Sequence, residues 1–479
     1  MIHHPHTKII FTAGPACEDE TVLKGILEAG ARICRLNMAH SSHEWVRGFL
    51  SKLAKVAKDI GQAVAVLMDI KGPEVRTGEV AEPIQLNKGD FLRIVTYKGS
   101  LKHADTTIPS VTVNYPDLIH DIQVGDTVLV DSGLIHLKII EIKDGAISCE
   151  ALTPGVLKSR RHINLPGVHI KLPSLTEKDK VDIALGLEMG VSFFALSFVR
   201  EAKDVHILRA HLESLGSSAK IISKIEDQCG LKNKDAIIQA SDGVMVARGD
   251  LGVECPYEEL PFIQSQIVQA CIRYSKPVIV ATHMLESMIT APIPTRAEVS
   301  DIAKAVFEAA DAIMLSGETT IGQYPVDCVK VMAKVAYSTE RMGMVELPVV
   351  ELDSNRKKLV RSATILAKDL GNVPIVVFSS HGHLPTLLSS LRPARSPIFA
   401  FTNNLQTYQE MLLLWGVYPF MIEFSDNPEQ RLQNAMDLLI AKDLLALQTP
   451  IVVVTYINSN QKRYDTIQIR HTESCHSEI

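Results

Sequence analysis

A chain of 479 residues, 46% hydrophobic and 22% charged, has the composition of an ordinary soluble globular protein. Its length suggests roughly three domains, because one core seldom grows past about 250 residues. A net charge of −6 gives no support for binding nucleic acid or an anionic membrane, and no apolar run reaches the roughly eighteen residues of a membrane span. The eight cysteines are scattered without a C-x-x-C pair, which fits reduced thiols in a cytoplasm better than a disulfide framework or a zinc site.

The amino terminus, MIHHPHTKII, lacks a basic segment followed by an apolar one, so no secretory signal is expected and the predicted location is cytoplasmic. His3, His4 and His6 read as a frayed tail rather than a metal site. Three short apolar runs follow, KIIFTA (8–13), ARICRLNM (31–38) and AVAVLMDI (63–70). From Gly72 to about Lys171 the pattern changes to alternating segments with Gly-Asp and Asp-Gly turns, such as NKGDFLRIV and DGAISCEAL. This predicts a small all-β domain inserted after the third strand, placed as a lid. Five more apolar runs then alternate with helical stretches: VSFFALSFV (191–199), IISKIE (221–226), DGVMVARG (242–249), KPVIVAT (276–282) and AIMLSGE (312–318). Eight such strands imply a (β/α)₈ barrel, although a doubly wound open sheet would give a similar pattern. A second α/β rhythm starts after Leu347. The predicted division is therefore a barrel over 1–71 and 172–346, a β lid over 72–171, and a C-terminal α/β domain over 347–479.

The barrel runs end in polar residues: Arg35 and Asn37, Asp69, Lys224 and Glu226, Asp250, Thr282, then Ser316 and Glu318. In barrel enzymes the chemistry sits at these ends. Burying both signs of charge there without ligands or partners would be expensive. Within IISKIED, period-two alternation points Lys224 and Glu226 to one face. Glu226 and Asp250 suit a Mg²⁺ ion that keeps waters and takes further ligands from a substrate. They also suit plainer roles, as the salt-bridge partner of Lys224 and a helix N-cap. Arg35 suits a phosphate or carboxylate, or a structural ion pair. RGDLG offers backbone N–H groups to an anion, or makes a tight turn. Together these groups fit phosphoryl transfer, with no Walker A segment to hold a nucleotide.

At these same residues the chain resembles the pyruvate kinase family, through TKIIFTAGPA, RLNMAHS, DIKGPEVRTGE, ISKIED, VMVARGDLGVE, ATHMLESM and DAIMLSGETTIGQYP, from about residue 7 to 340. The resemblance implies transfer of the phosphoryl group of phosphoenolpyruvate to ADP, the last step of glycolysis. It implies Glu226 and Asp250 as Mg²⁺ ligands, with Lys224 and Arg35 on the phosphoryl group and Arg76 joining them. Gly249 and Asp250 amides would take the substrate carboxylate, and Thr282 would bind substrate and serve the proton relay, supported by Ser316 and Glu318. Thr12, Pro15, Asn37 and His40 match positions around the nucleotide. A homotetramer is the family's usual assembly.

Some positions depart from the family pattern. Its potassium ion is held by oxygens matching Asn37, Asp69 and Ile70, the last by its carbonyl, but the serine position is Ala39. Glu74 is the acidic form that goes with potassium dependence, so a weakened K⁺ site is expected. His283 replaces a glutamine, and SRRHINLPG keeps Arg161 as a lid contact to nucleotide phosphate or as a solvated basic residue. The stretch VVFSSHGHLPTLL lacks the usual phosphate loop, so activation by a sugar bisphosphate is not assumed. Two other readings stand beside an active kinase: a metal-dependent barrel lyase or aldolase of pyruvate enolates, and a catalytically weak regulatory relative.

Overall fold

The computed structural model describes residues 5–96, 108–343, 347–393, 395–459 and 462–472. The eight apolar runs outside the insert form β1 (Lys8–Thr12), β2 (Ile33–Asn37), β3 (Ala65–Asp69), β4 (Phe193–Leu196), β5 (Lys220–Ile225), β6 (Gly243–Ala247), β7 (Val278–Ala281) and β8 (Ala312–Met314). All pair in parallel and β8 returns to β1, so the sheet closes into a barrel and the open doubly wound alternative falls. The interior is packed with Ile10, Ile33, Leu67, Ala195, Ile222 and Met245, while Leu412 and Leu413 from the C-terminal segment join this cluster. A separate apolar layer lies between strands and surrounding helices, with Phe11, Leu36, Phe194 and Val246 among its members.

Alternation explains where the charge goes. A residue two places beyond an inward-facing one also faces inward. Ile10 leads to Thr12, Ile33 to Arg35, Leu67 to Asp69, Ala195 to Ser197 and Ile222 to Lys224. The apolar filling of the barrel therefore passes directly into a polar layer at its mouth.

All eight strands end earlier than their apolar runs, and the last three give way to helices or a left-handed turn. After β6 the chain turns helical at once, over Arg248–Glu254. After β7, Thr282 and His283 take left-handed backbone, with φ of 70° and 55°. After β8 a short helix covers Gly317–Thr320. At the mouth these backbone N–H groups find side chains instead of a ladder: Glu318 accepts from Leu285 at 2.9 Å and from Ser316 at 2.6 Å.

The insert has its own apolar core, including Leu92, Ile94, Val128, Leu137, Ile147 and Leu157. Its six-stranded sheet runs Ile163–Asn164, Thr127–Val130, Ile135–Lys143, Ala146–Ala151, Phe91–Thr96 and Ser110–Val113. The C-terminal segment builds a five-stranded sheet, four strands parallel and the last antiparallel, with apolar clusters on both faces. The fold class read from the sequence is the one observed.

One expectation fails at the amino terminus. His6 is not frayed: its ring lies 4.7 Å from that of Trp415, and its N–H donates to Glu340 at 2.8 Å. Packing against the C-terminal segment removes the freedom a tail would need, and burial lowers the imidazole to about 4. His3 and His4 lie outside the described residues. Among the described residues the cysteines are free, and no helix is long and apolar enough to cross a membrane.

Candidate active site

Polar contacts run across the barrel mouth. Arg35 reaches Asp69 Oδ2 with Nε at 2.8 Å and Nη2 at 2.7 Å, while its Nη1 is 3.3 Å from Thr12 Oγ1. Lys224 Nζ is 3.2 Å from Asp69 Oδ1, 3.0 Å from Ser197 Oγ and 2.8 Å from Glu226 Oε1. Ser197 donates to the Ile70 carbonyl at 2.8 Å. Lys224 and Glu226 thus share a face, as alternation required.

Glu226 is buried, and its Oε2 accepts the N–H of Phe198 at 2.7 Å. Phe198 is itself held at φ 53°. Oε1 is paired with the Lys224 ammonium at 2.8 Å and has no further donor among the described residues. Burial raises this carboxyl to about 7, with Lys224 pulling it down and Asp250 pushing it up. Burial also raises Asp250, with Lys224 opposing and Asp69 and Glu74 reinforcing. Asp69 behaves oppositely: burial works against its ionisation, but Lys224 and Arg35 hold it below the usual carboxylate range. Burial would lower Lys224, yet Asp69 and Glu226 hold it above its ordinary value. Two cations face three carboxylates, so a fully ionised cluster carries one negative charge in excess, which a proton on Glu226 or a bound cation would offset.

Two hard carboxylates, Glu226 with one oxygen held only by the Lys224 ammonium among the described residues, fit a Mg²⁺ ion that keeps most of its waters. The oxygens expected around potassium are already engaged. Asn37 Oδ1 accepts the Ala39 N–H at 3.1 Å, Asp69 is shared by Arg35 and Lys224, and Ser197 takes the Ile70 carbonyl. Glu74 pairs with both Arg76 and Lys71.

The remaining predicted residues divide into two groups. Gly249 and Thr282 are in contact, the Gly249 N–H donating to Thr282 Oγ1 at 2.7 Å. This amide, expected to take the substrate carboxylate, is satisfied by the threonine hydroxyl. Thr12 is buried and donates to the Leu315 carbonyl at 2.7 Å, so it supports Arg35, whereas Pro15 and His40 are exposed at the β1 and β2 rim. Arg76 and Arg161 make their hydrogen bonds inside the insert. Arg76 donates to Glu74 at 2.7 Å and to the Arg160 carbonyl at 3.0 Å, and Arg161 donates to Asp131 at 3.3 Å. Glu318 holds backbone amides, while the Ser316 hydroxyl is buried without a partner. A cavity of about 470 Å³ opens beside Glu226, lined by His162, Asn164, Phe198, Asp227 and Glu254.

Sequence reasoning missed Ser197 and Arg248. Continuing the β4 alternation past Ala195 finds the first. Only contact finds the second: its guanidinium lies under the Thr282 peptide and pairs with Asp301.

The fold and this site define a (β/α)₈ enzyme with a buried, mixed-charge centre at its strand ends and an inserted β domain. A family model described as "Pyruvate kinase, barrel domain" matches residues 4–329, and one described as "Pyruvate kinase, alpha/beta domain" matches 357–470. Pyruvate kinase isozyme G of Nicotiana tabacum chloroplasts is 42% identical over 445 residues, covering 92% of this chain and 78% of its own. A pyruvate kinase of Geobacillus stearothermophilus is 40% identical over 462 residues, covering 94% and 77%. The crystal structure of a pyruvate kinase from Cryptosporidium parvum superposes with a TM-score of 0.88 at 32% identity, covering 98% of this chain and 96% of that one. The chain belongs to the pyruvate kinase family. It is a phosphotransferase whose reaction passes the phosphoryl group of phosphoenolpyruvate to ADP, and the lyase or aldolase reading falls.

Proposed function

We propose that this chain is a catalytically active pyruvate kinase working through the Arg35–Asp69–Lys224–Glu226 cluster. Arg35 grips the substrate phosphate as a planar fork while Asp69 fixes its orientation. Lys224 meets the charge that develops on the phosphoryl group and the enolate, in a place where burial strengthens it. Thr282 orients the substrate carboxylate beside the Gly249 and Asp250 amides and passes a proton toward the enolate. Glu226 and Asp250 would hold a Mg²⁺ ion, which when bound would neutralise phosphoryl oxygens. Pro15, Asn37 and His40 flank the nucleotide, and Arg76 and Arg161 reach the phosphates only after leaving their partners in the insert.

The observation that carries this reading is the buried ion pair of Glu226 Oε1 with Lys224 at 2.8 Å, which sets a carboxylate suited to a metal beside the cation that would meet the phosphoryl group. A weak regulatory relative has less support, because Arg35, Lys224, Glu226, Asp250 and Thr282 are all in place. Since the candidate potassium oxygens already have partners, we expect a weak response to that ion. A homotetramer and a cytoplasmic location are part of the same proposal, the former read by sedimentation. The deciding experiment is pyruvate formation from phosphoenolpyruvate and ADP with Mg²⁺, across a potassium titration, for the wild type and Lys224→Met. Mg²⁺-dependent turnover that Lys224→Met abolishes is the expected result. No wild-type turnover at any potassium level would move the reading to a regulatory role.

A further inference from the structure

Thr282 carries left-handed backbone, φ 70°, immediately after β7. A β-branched residue is strained there, so its surroundings must hold it. The holding group is Arg248, buried at 8% exposure at the start of the Arg248–Glu254 helix. Its Nε donates to the Ala281 carbonyl at 3.2 Å, and its Nη2 donates to the Thr282 carbonyl. Its Nη1 lies 2.7 and 2.6 Å from the two oxygens of Asp301 and 3.3 Å from Gln264 Oε1. One planar fork therefore anchors two consecutive carbonyls and is itself fixed by a carboxylate. The Thr282 hydroxyl, so placed, donates to the Ala281 carbonyl at 2.6 Å and accepts the Gly249 N–H at 2.7 Å.

We propose that Arg248, fixed by Asp301, is a positioning residue that sets the Thr282 hydroxyl against the Gly249 amide for substrate binding and proton delivery. This rests on the reading of Thr282 and Gly249 given above. A lysine offers a point charge and cannot span both carbonyls and the Asp301 carboxylate at once.

The test uses Arg248→Lys, Asp301→Asn, Thr282→Ala and the double variant Arg248→Lys with Thr282→Ala. Four quantities are read: kcat, KM for each substrate, the thermal midpoint, and deuterium uptake from solvent into the methyl group of pyruvate with Mg²⁺ and no nucleotide. In Arg248→Lys, kcat and methyl exchange should fall together by roughly 10- to 100-fold, the scale set by small misplacements of a reacting group. KM for ADP should stay within about twofold, and the double variant should be no more than about twofold slower than Thr282→Ala alone. Exchange at the wild-type rate in folded Arg248→Lys overturns the proposal, as do losses that multiply in the double variant. Asp301 is 35% exposed, so Asp301→Asn keeps the test open if Arg248→Lys fails to fold, and unchanged exchange there also overturns it. Full turnover by Thr282→Ala sinks the Thr282 assignment and the clamp with it, whereas multiplying losses sink the clamp alone.

Discussion

Glu226 and Glu254 show how burial fits a carboxyl to its task. With one Glu226 oxygen accepting from Phe198 and the other paired with the Lys224 ammonium, Glu226→Gln removes a charge without adding a partner for a metal. The Mg²⁺ concentration for half-maximal turnover should rise by roughly tenfold or more, as for loss of one of two hard anionic ligands. An unchanged Mg²⁺ titration would remove Glu226 from the ligand set. Glu254 is raised to about 7, chiefly by burial, with the Asn164 amide at 3.0 Å pulling the other way. Between its ordinary value of 4.5 and about 7 the folded state keeps a proton that the unfolded chain has lost, so this group makes stability fall as pH rises through that window. Glu254→Gln should therefore raise the thermal midpoint at about pH 8, by an effect on the order of 1–3 kcal/mol, and leave it unchanged near about pH 4. Equal midpoints at both pH values would refute this.

The loops at the mouth are positioned by close approach between elements. Gly14, where β1 leaves the barrel, has extended backbone at φ −179°, so space rather than torsion requires glycine. A Cβ there would lie 2.7 Å from Thr320 Cα and 2.8 Å from its carbonyl oxygen, both backbone atoms of the helix region after β8. Gly14→Ala should cost about 1–3 kcal/mol and displace the Pro15 rim, raising KM for ADP more than KM for phosphoenolpyruvate. Wild-type stability and KM values together would rule that out. The strands themselves were legible, because runs such as IISKIE and KPVIVAT carry enough apolar, β-branched residues to be buried on both faces. Their ends were less legible. The sequence offers Asp250 as a helix cap, but the helix starts two residues earlier at Arg248, and no local pattern announces the left-handed turn at Thr282, which answers to partners from other strands.

Across the whole molecule, the barrel is tied to the C-terminal segment through a buried ion pair. Arg392 Nη2 is 2.5 Å from Asp311 Oδ2, with both side chains almost fully buried. The same carboxylate accepts the Val278 N–H at 3.0 Å, at the start of β7, and the Trp415 N–H at 3.1 Å. The Asp311 carbonyl takes the Lys8 N–H at the foot of β1. Removing one partner of a buried pair leaves the other charge uncompensated, so Arg392→Met should lose about 3–5 kcal/mol in urea unfolding. A loss below about 1 kcal/mol would mean that the remaining N–H donors satisfy Asp311 by themselves.

The sequence by itself determined that strands alternate with helices, that a β domain interrupts them, and that charged residues gather where the strands end. Each of these follows from local periodicity and composition, which survive without tertiary contacts. Lys224 and Glu226 could be paired in advance because they are two apart where one strand runs out. Only the strand order of the folded sheet decided which ends meet. Arg35, Asp69, Ser197 and Lys224 come from the ends of β2, β3, β4 and β5, and the side-by-side pairing of those four strands sets them within hydrogen-bond reach. Arg76 and Arg161 read like phosphate ligands in the sequence, but folding gives each a carboxylate partner inside the insert. Charge type is a property of the residue, whereas the partner that neutralises it is chosen by the fold.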